Sequence, residues 1–338
     1  MSLKRDLLIV FIQIVKSASN TLTLTGLQTY TGSTNVTSGA IVFTNNATPT
    51  TSGFTGAGAV TIQPNGSAFT NAFNTANYTY ATTLTSLTIG NATSVANIDI
   101  TVNGTAINIS GPINLYGGNI ALNTNLTTTA AATGNITLAA AGSILTNTSG
   151  LAITTNGSSI LFAADTDNSG AGAISLDRVS LTTSGGDITL GGGAIDGSGY
   201  AVGSNNALLN GMTPNYRGVW LHSSSINAGG GNIAIRGKGA SPTAYGYYGI
   251  GVDIVSFSSA SGTGDVIQTS GNGSISIVGI GGANNDAGSH PAGINIYSDS
   301  VAESTNKLMK GIENIEELVE QVSVNSNQVS VDAEKISG

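Results

Sequence analysis

The sequence predicts an all-β chain wound as a right-handed parallel β-helix, a solenoid, followed by a short C-terminal α-helix. Three observations carry that expectation: a composition of glycine and short polar residues, a recurring Gly-x-Ile phrase, and a change of composition near residue 300. Only 10 basic and 18 acidic side chains occur among 338 residues, against 47 glycines. Polarity supplied by Ser, Thr and Asn in place of charge fits neither an ordinary globular enzyme nor a charged disordered tail. It fits the outward faces of strands and the turns between them. A hydrophobic content of 40% with just 7 Phe and 1 Trp supplies a long, narrow core of Val, Ile and Leu.

Residues 1–19 place Lys4-Arg5 before the apolar run Leu7–Val15 and then Ser17-Ala18-Ser19. They read as a secretory-signal-like segment or as a first strand or helix capping a β-stack; the run is too short to span a membrane. From Asn20, Leu22 and Leu24 alternate with threonines, Gly26 and Gly32 punctuate, and Val36, Ala40 and Ile41 resume the apolar pattern, so strand, turn and strand follow one another.

The Gly-x-Ile phrase then recurs at Gly118-Asn-Ile120, Gly134-Asn-Ile136, Gly172-Ala-Ile174, Gly186-Asp-Ile188, Gly231-Asn-Ile233 and Gly273-Ser-Ile275. Such spacing suits fractions of a coil in which each winding places an apolar residue inside and Gly or Asn at a corner. With about twenty residues per coil and a strand spacing of ~4.8 Å, residues 20–301 predict about fourteen coils and a rod of ~65 Å. A β-sandwich array is the competitor, but it needs tight two-residue hairpins, and the connections here are long and uneven.

The segments Gly218-Val-Trp-Leu221, Gly251-Val-Asp-Ile254 and Gly293-Ile-Asn-Ile296 align with one another, and insertions are expected near 197–217 and 237–248. Trp220, Tyr245, Tyr247 and Tyr248 are the candidate ligand contacts, since aromatic faces bind sugar or protein surfaces at little entropic cost. Packing beneath the inserted loops is their alternative role. All six Glu residues lie at or beyond Glu303, which marks a boundary. From Leu308 through Ile312, Ile315, Val319, Val322, Ser326, Val329, Ala333 and Ile336 the apolar positions step by three and four, so 302–338 is expected to be a helical, coiled-coil-like tail able to self-associate.

No cysteine is present, which excludes disulfides, thiolate zinc sites and a cysteine nucleophile. A net charge of −8 without a basic stripe argues against nucleic acid. No cofactor, metal ligand or catalytic residue is assigned. Asp165-Thr-Asp-Asn-Ser-Gly170 begins like a calcium loop, yet Leu176 stands where the bidentate acid belongs, and a polar turn is the competing reading. Asp177-Arg178, Asp187 and Asp196 would matter to catalysis only if neighbouring coils brought them together.

The stretch Asn20–Phe43 resembles the autotransporter-associated β-strand repeat, departing from its pattern mainly at Gln28, and Ser184-Gly-Gly-Asp-Ile-Thr-Leu-Gly-Gly192 is similar to filamentous-haemagglutinin-like repeats. Gly311–Ser323 and Val329–Ile336 weakly resemble a chemoreceptor helical segment, without the kinase-contacting tip of that family. The first two resemblances imply a structural and adhesive, non-catalytic passenger fragment of a type V secreted bacterial protein, secreted or on the outer-membrane exterior. Its implied partners are a host or cell-surface glycan or protein and an outer-membrane barrel transporter. The alternatives are a β-helix polysaccharide lyase or hydrolase and a sensor fragment with a chemoreceptor-like tail.

Overall fold

Leu22, Ile41, Val60, Leu87, Ile113, Ile136, Ile160, Ile188, Ile233 and Ile275 are successive register partners in one parallel ladder. This is a computed structural model, and it describes residues 13–26, 28, 30–66, 68–93, 98–204, 216–241, 249–256, 266–283 and 292–298. Among the described residues the chain is nearly all β, with stacked parallel sheets consistent with a parallel β-solenoid and a single 3-10 turn, Thr75–Asn77. The expected helix at 302–338, the signal-like run through residue 12, and Tyr245, Tyr247 and Tyr248 lie outside the described residues.

Sheet I is the ladder just named, from Thr21–Leu24 to Ile275–Ile280. Sheet II stacks Phe73, Ile100, Ile120, Ile144, Ile174, Val219, Val252 and Ile294. Sheet III stacks Ile107, Leu126, Ile153, Leu181, Ile226 and Ile267. A four-stranded sheet formed by Ile14–Lys16, Thr34–Val36, Gly53–Thr55 and Thr79–Tyr80 holds the position of sheet III in the earlier windings, each strand leading into one of sheet I. The register pairs Val219 with Val252 and Val252 with Ile294, as the alignment of the three Gly-led segments requires.

The first windings have two sides and the later ones three. Sheet I partners lie 19 residues apart at Leu22, Ile41 and Val60, then 27 apart once Phe73–Asn74 opens sheet II. The widened interior at that junction is filled by rings: Phe54, Phe69, Phe73, Tyr78 and Tyr80 form a chain of contacts with centroids 5.5 to 6.4 Å apart. The rings occupy the change of cross-section, where unfilled volume would forfeit dispersion contacts.

This corrects the expected coil count. The phrases ending at Ile120 and Ile174 belong to sheet II, and those at Ile136, Ile188, Ile233 and Ile275 to sheet I, so one motif serves two corners of each winding. The described ladder has ten windings rather than fourteen, an axial length of about 45 Å at ~4.8 Å per step.

The residues of the motif divide the work at the corner. The side chain just before the isoleucine accepts an N–H from the next winding: Asn135 Oδ1 takes Ser159 N, and Asp187 Oδ1 takes Asn232 N. Asn232 Oδ1 then takes Ser274 N. A parallel series runs from Asp99 to Asn119 and on to Ser143. The glycine is needed because windings approach closely: a Cβ on Gly186 would lie 2.2 Å from Ser158 O, and one on Gly231 would lie 2.2 Å from Gly186 O. No side chain fits between backbones at that distance.

A candidate binding groove at the corner between sheets I and II

The register of sheet I holds while its spacing jumps to 45 residues between Ile188 and Ile233 and 42 between Ile233 and Ile275. The longest extra chain leaves at the corner from sheet I to sheet II, through residues 193–218, 239–251 and 281–293. One winding earlier the same corner is the turn at 165–173. Equivalent corners stack, so the described ends of these connections lie on adjacent windings.

A groove of about 460 Å³ crosses three of these corners, lined by Asp165, Asn168 and Gly170 of the first, Gly193, Gly199, Tyr200, Val202 and Gly203 of the second, and Lys238, Gly239, Ala240 and Ser241 of the third. Its wall is built by the short strand Ala201–Val202, which pairs in parallel with Gly237–Lys238 and bridges to Gly172 on the other side. The glycines leave backbone on the groove surface, while Tyr200, Asn168, Lys238 and Ser241 add a ring, an amide, a cation and a hydroxyl.

Asp165 is buried, with a left-handed φ of 52°. Its Oδ1 accepts from Gly170 N at 2.9 Å, Ala171 N at 3.2 Å and Ser169 Oγ at 3.2 Å, and Asp167 accepts from Ser169 N. The segment read as the start of a calcium loop is therefore a polar turn whose first carboxylate serves its own backbone. Burial pushes the Asp165 carboxyl above the usual carboxylate range, against the opposing pull of the Ala171 and Gly170 N–H groups and the Ser169 hydroxyl. Among the described residues, no group of three or more His, Asp or Glu side chains is placed to hold a metal ion.

Trp220 follows the same corner onto the outer side of sheet II, between Ser175 and Asp253 in register. It is half-buried, stacked on His222 at 5.2 Å between centroids with 4° between planes, and Arg217 Cζ lies 5.6 Å from its ring. Arg217 Nε donates to buried Asp253, whose other oxygen accepts from Asn295 Nδ2 at 2.7 Å. His222 Nδ1 lies 2.5 Å from Asp177 Oδ1, which also accepts from Arg178 Nε at 3.3 Å. The indole is thus engaged by His222 of its own strand and by Arg217 of the corner before it, a packing role alongside whatever edge it offers to a ligand.

Of the acidic residues weighed for catalysis, Asp177 holds His222 and Arg178, Asp187 holds Asn232, and Asp196 accepts from Ser198 N. They do not share a partner. Tyr200 and Lys238 were not visible as site residues in the sequence, because stacking of unlike corner loops brings them together; the one available signal was the lengthened interval between motif copies.

Comparison with known protein families, with curated proteins and with solved structures finds no match to this chain. Among the described residues no helix is long and apolar enough to cross a membrane.

Proposed function

We propose that this chain is a non-catalytic binding solenoid displayed outside the cell, whose corner groove takes a neutral, hydroxyl-rich ligand such as a saccharide chain. The observation that carries the reading is the stacking of consecutive lengthened corners around one groove while the ladder beneath stays in register. A rigid stack carrying variable corner loops is how solenoids build extended binding surfaces. The groove offers Tyr200 as an apolar ring face and Asn168, Lys238 and Ser241 as hydrogen-bonding groups, a set suited to hydroxyls.

The resemblance of residues 20–43 to autotransporter-associated repeats supports export by a type V route, with an outer-membrane barrel transporter as partner and an adhesive role at the cell surface. The right-handed winding expected of parallel crossovers belongs to the same reading. The lyase or hydrolase alternative draws less support, since Asp177, Asp187 and Asp196 each serve a separate neighbour. The sensor alternative rests on the tail at 302–338, outside the described residues.

A panel of immobilised neutral and acidic glycans, followed by titration calorimetry on the best binder, tests the proposal. Tyr200→Ala should weaken binding about tenfold or more with the thermal midpoint held within a degree or two. Binding insensitive to both Tyr200→Ala and Lys238→Gln, or steady release of reducing ends from the bound glycan, would overturn it.

A further inference from the structure

Sheet I is free of charge except at one place. Among its eleven strands only Ile233–Lys238 carries charged side chains, and it carries two, Arg236 and Lys238. Gly237 between them is buried and both cations lie on the solvent side of the strand, Lys238 exposed and Arg236 partly so. Positions i and i+2 of a strand are ~6.6 Å apart, so the like charges repel. Nothing compensates them: among the described residues the ion pairs are Arg178–Asp177, His222–Asp177 and Arg217–Asp253, and no carboxylate pairs with Arg236 or Lys238. The acids of the adjoining corners serve their own turns, Asp165 and Asp167 through Ser169, Gly170 and Ala171, and Asp196 through Ser198 N. The neighbours in register are apolar: Lys238 lies between Val202 and Ile280, and Arg236 beside Val278. Such neighbours restrict water around the two charges, where a charge-assisted hydrogen bond is worth more than in open solvent.

We propose that Arg236 and Lys238 form an oxyanion subsite that takes the carboxylate or sulfate group of an acidic sugar. A neutral chain in the groove uses Lys238 as a hydrogen-bond donor and calls for no second cation. The pair therefore marks a site beyond that reading, on the outer face of sheet I, sharing only Lys238 with the groove lining. The Arg236 guanidinium offers a planar fork that matches two oxygens of a carboxylate or sulfate, and the Lys238 ammonium adds a point charge beside it. One pair of cations on a chain of net charge −8 selects an isolated anion. A nucleic acid or an anionic membrane would set its further charges against the surrounding acidic surface.

The test titrates the full chain with glucuronate, glucose 6-sulfate, glucose and inorganic sulfate at constant ionic strength, read by nitrogen–proton correlation spectra of the backbone amides and the arginine Nε–H groups. At least one acidic sugar should move the Arg236 Nε–H and the Gly237 and Lys238 amides saturably, with an affinity about tenfold or more above that of glucose and above that of inorganic sulfate. Arg236→Gln/Lys238→Gln should weaken that binding about tenfold or more, while Arg178→Gln on sheet II leaves it unchanged. Inorganic sulfate bound as tightly as both acidic sugars would assign the pair to a free anion and overturn the proposal; so would equal shifts with glucose. Val278→Glu supplies a second measurement, because it sets a carboxylate in register with Arg236. It should raise the urea midpoint and abolish the shifts caused by the acidic sugars. Shifts that persist in Val278→Glu, or in the double glutamine variant, would contradict the subsite.

Discussion

Substituting Gly186 by alanine adds one methyl group, and the ladder predicts an unusually large cost for it. The new Cβ would sit 2.2 Å from Ser158 O and 2.3 Å from the carbon bearing it, both backbone atoms of the winding below. Ordinary contact begins near 3.4 Å, so the two windings must separate by about 1 Å. The bond beside this point, Ile160 N to Asp187 O at 2.9 Å, would then exceed hydrogen-bonding distance. The contact from Asp187 N to Ser159 Oγ, already 3.3 Å, would be lost with it. At about 1 kcal/mol for each bond and 1–3 kcal/mol for overpacking, the expected loss is about 3–5 kcal/mol. Gly150→Ala is the control: it has a φ of 79° but nothing within 4 Å of its added Cβ, so only the left-handed backbone penalty of about 1–2 kcal/mol applies. Urea unfolding of both variants, read as midpoint shifts at constant slope, separates the two mechanisms. Equal losses within about 0.5 kcal/mol would refute the close approach of windings at this corner.

Two further outcomes follow from buried polar groups. Asp165 has its folded pKa raised by burial, so the folded chain binds that proton more tightly than the unfolded one; the cost of the ionised form is absent below about pH 4 and grows as pH rises through the folded value. Asp165→Asn keeps an acceptor for Ser169, Gly170 and Ala171 and tolerates the left-handed φ, so its stability relative to the parent should be near zero at pH 3.5 and positive at pH 7, measured by thermal unfolding across that range. A gain that shrinks with rising pH would reverse the assigned cause. Tyr80 Oη is buried without a hydrogen-bond partner among the described residues, and burial raises its pKa. Tyr80→Phe should therefore stabilise by about 1 kcal/mol in urea unfolding, whereas a loss of that size would reveal a partner for the hydroxyl.

Much of the architecture can be read from residues that repeat. Isoleucine two places after glycine, with Asn, Asp or Ser between in five of the six copies and Ala in Gly172-Ala-Ile174, reports a corner because each of the three positions meets a separate physical need. The isoleucine fills the core, the glycine lets backbones approach, and Asn119, Asn135, Asp187 and Asn232 between them accept the next winding's N–H. The alignment of Gly218, Gly251 and Gly293 reports register for the same reason. The number of windings was not legible, because identical phrases at Ile120 and Ile136 mark different corners and the interval alone cannot distinguish a third of a coil from a whole one. The aromatic filling at Phe54–Tyr80 had a compositional signal, five interior rings within a short interval in a chain with 5% aromatics. The groove had almost none. Tyr200 and Lys238 sit in segments without a shared motif, and only the stacking of successive corners makes them neighbours.

The ladder itself is tested most directly by distances between spin labels, since the chain has no cysteine and an introduced pair is labelled without background. Thr61, Thr137, Thr189 and Ala234 occupy equivalent outward positions of sheet I. From a label at position 61, double electron–electron resonance should give Cα separations of about 14, 24 and 29 Å to positions 137, 189 and 234, a gain of one ~4.8 Å strand spacing per winding. The 45 residues between Thr189 and Ala234 should thus add only about 5 Å. Distances that scale with residue number, or that fail to increase in this order, would contradict a stack of parallel windings.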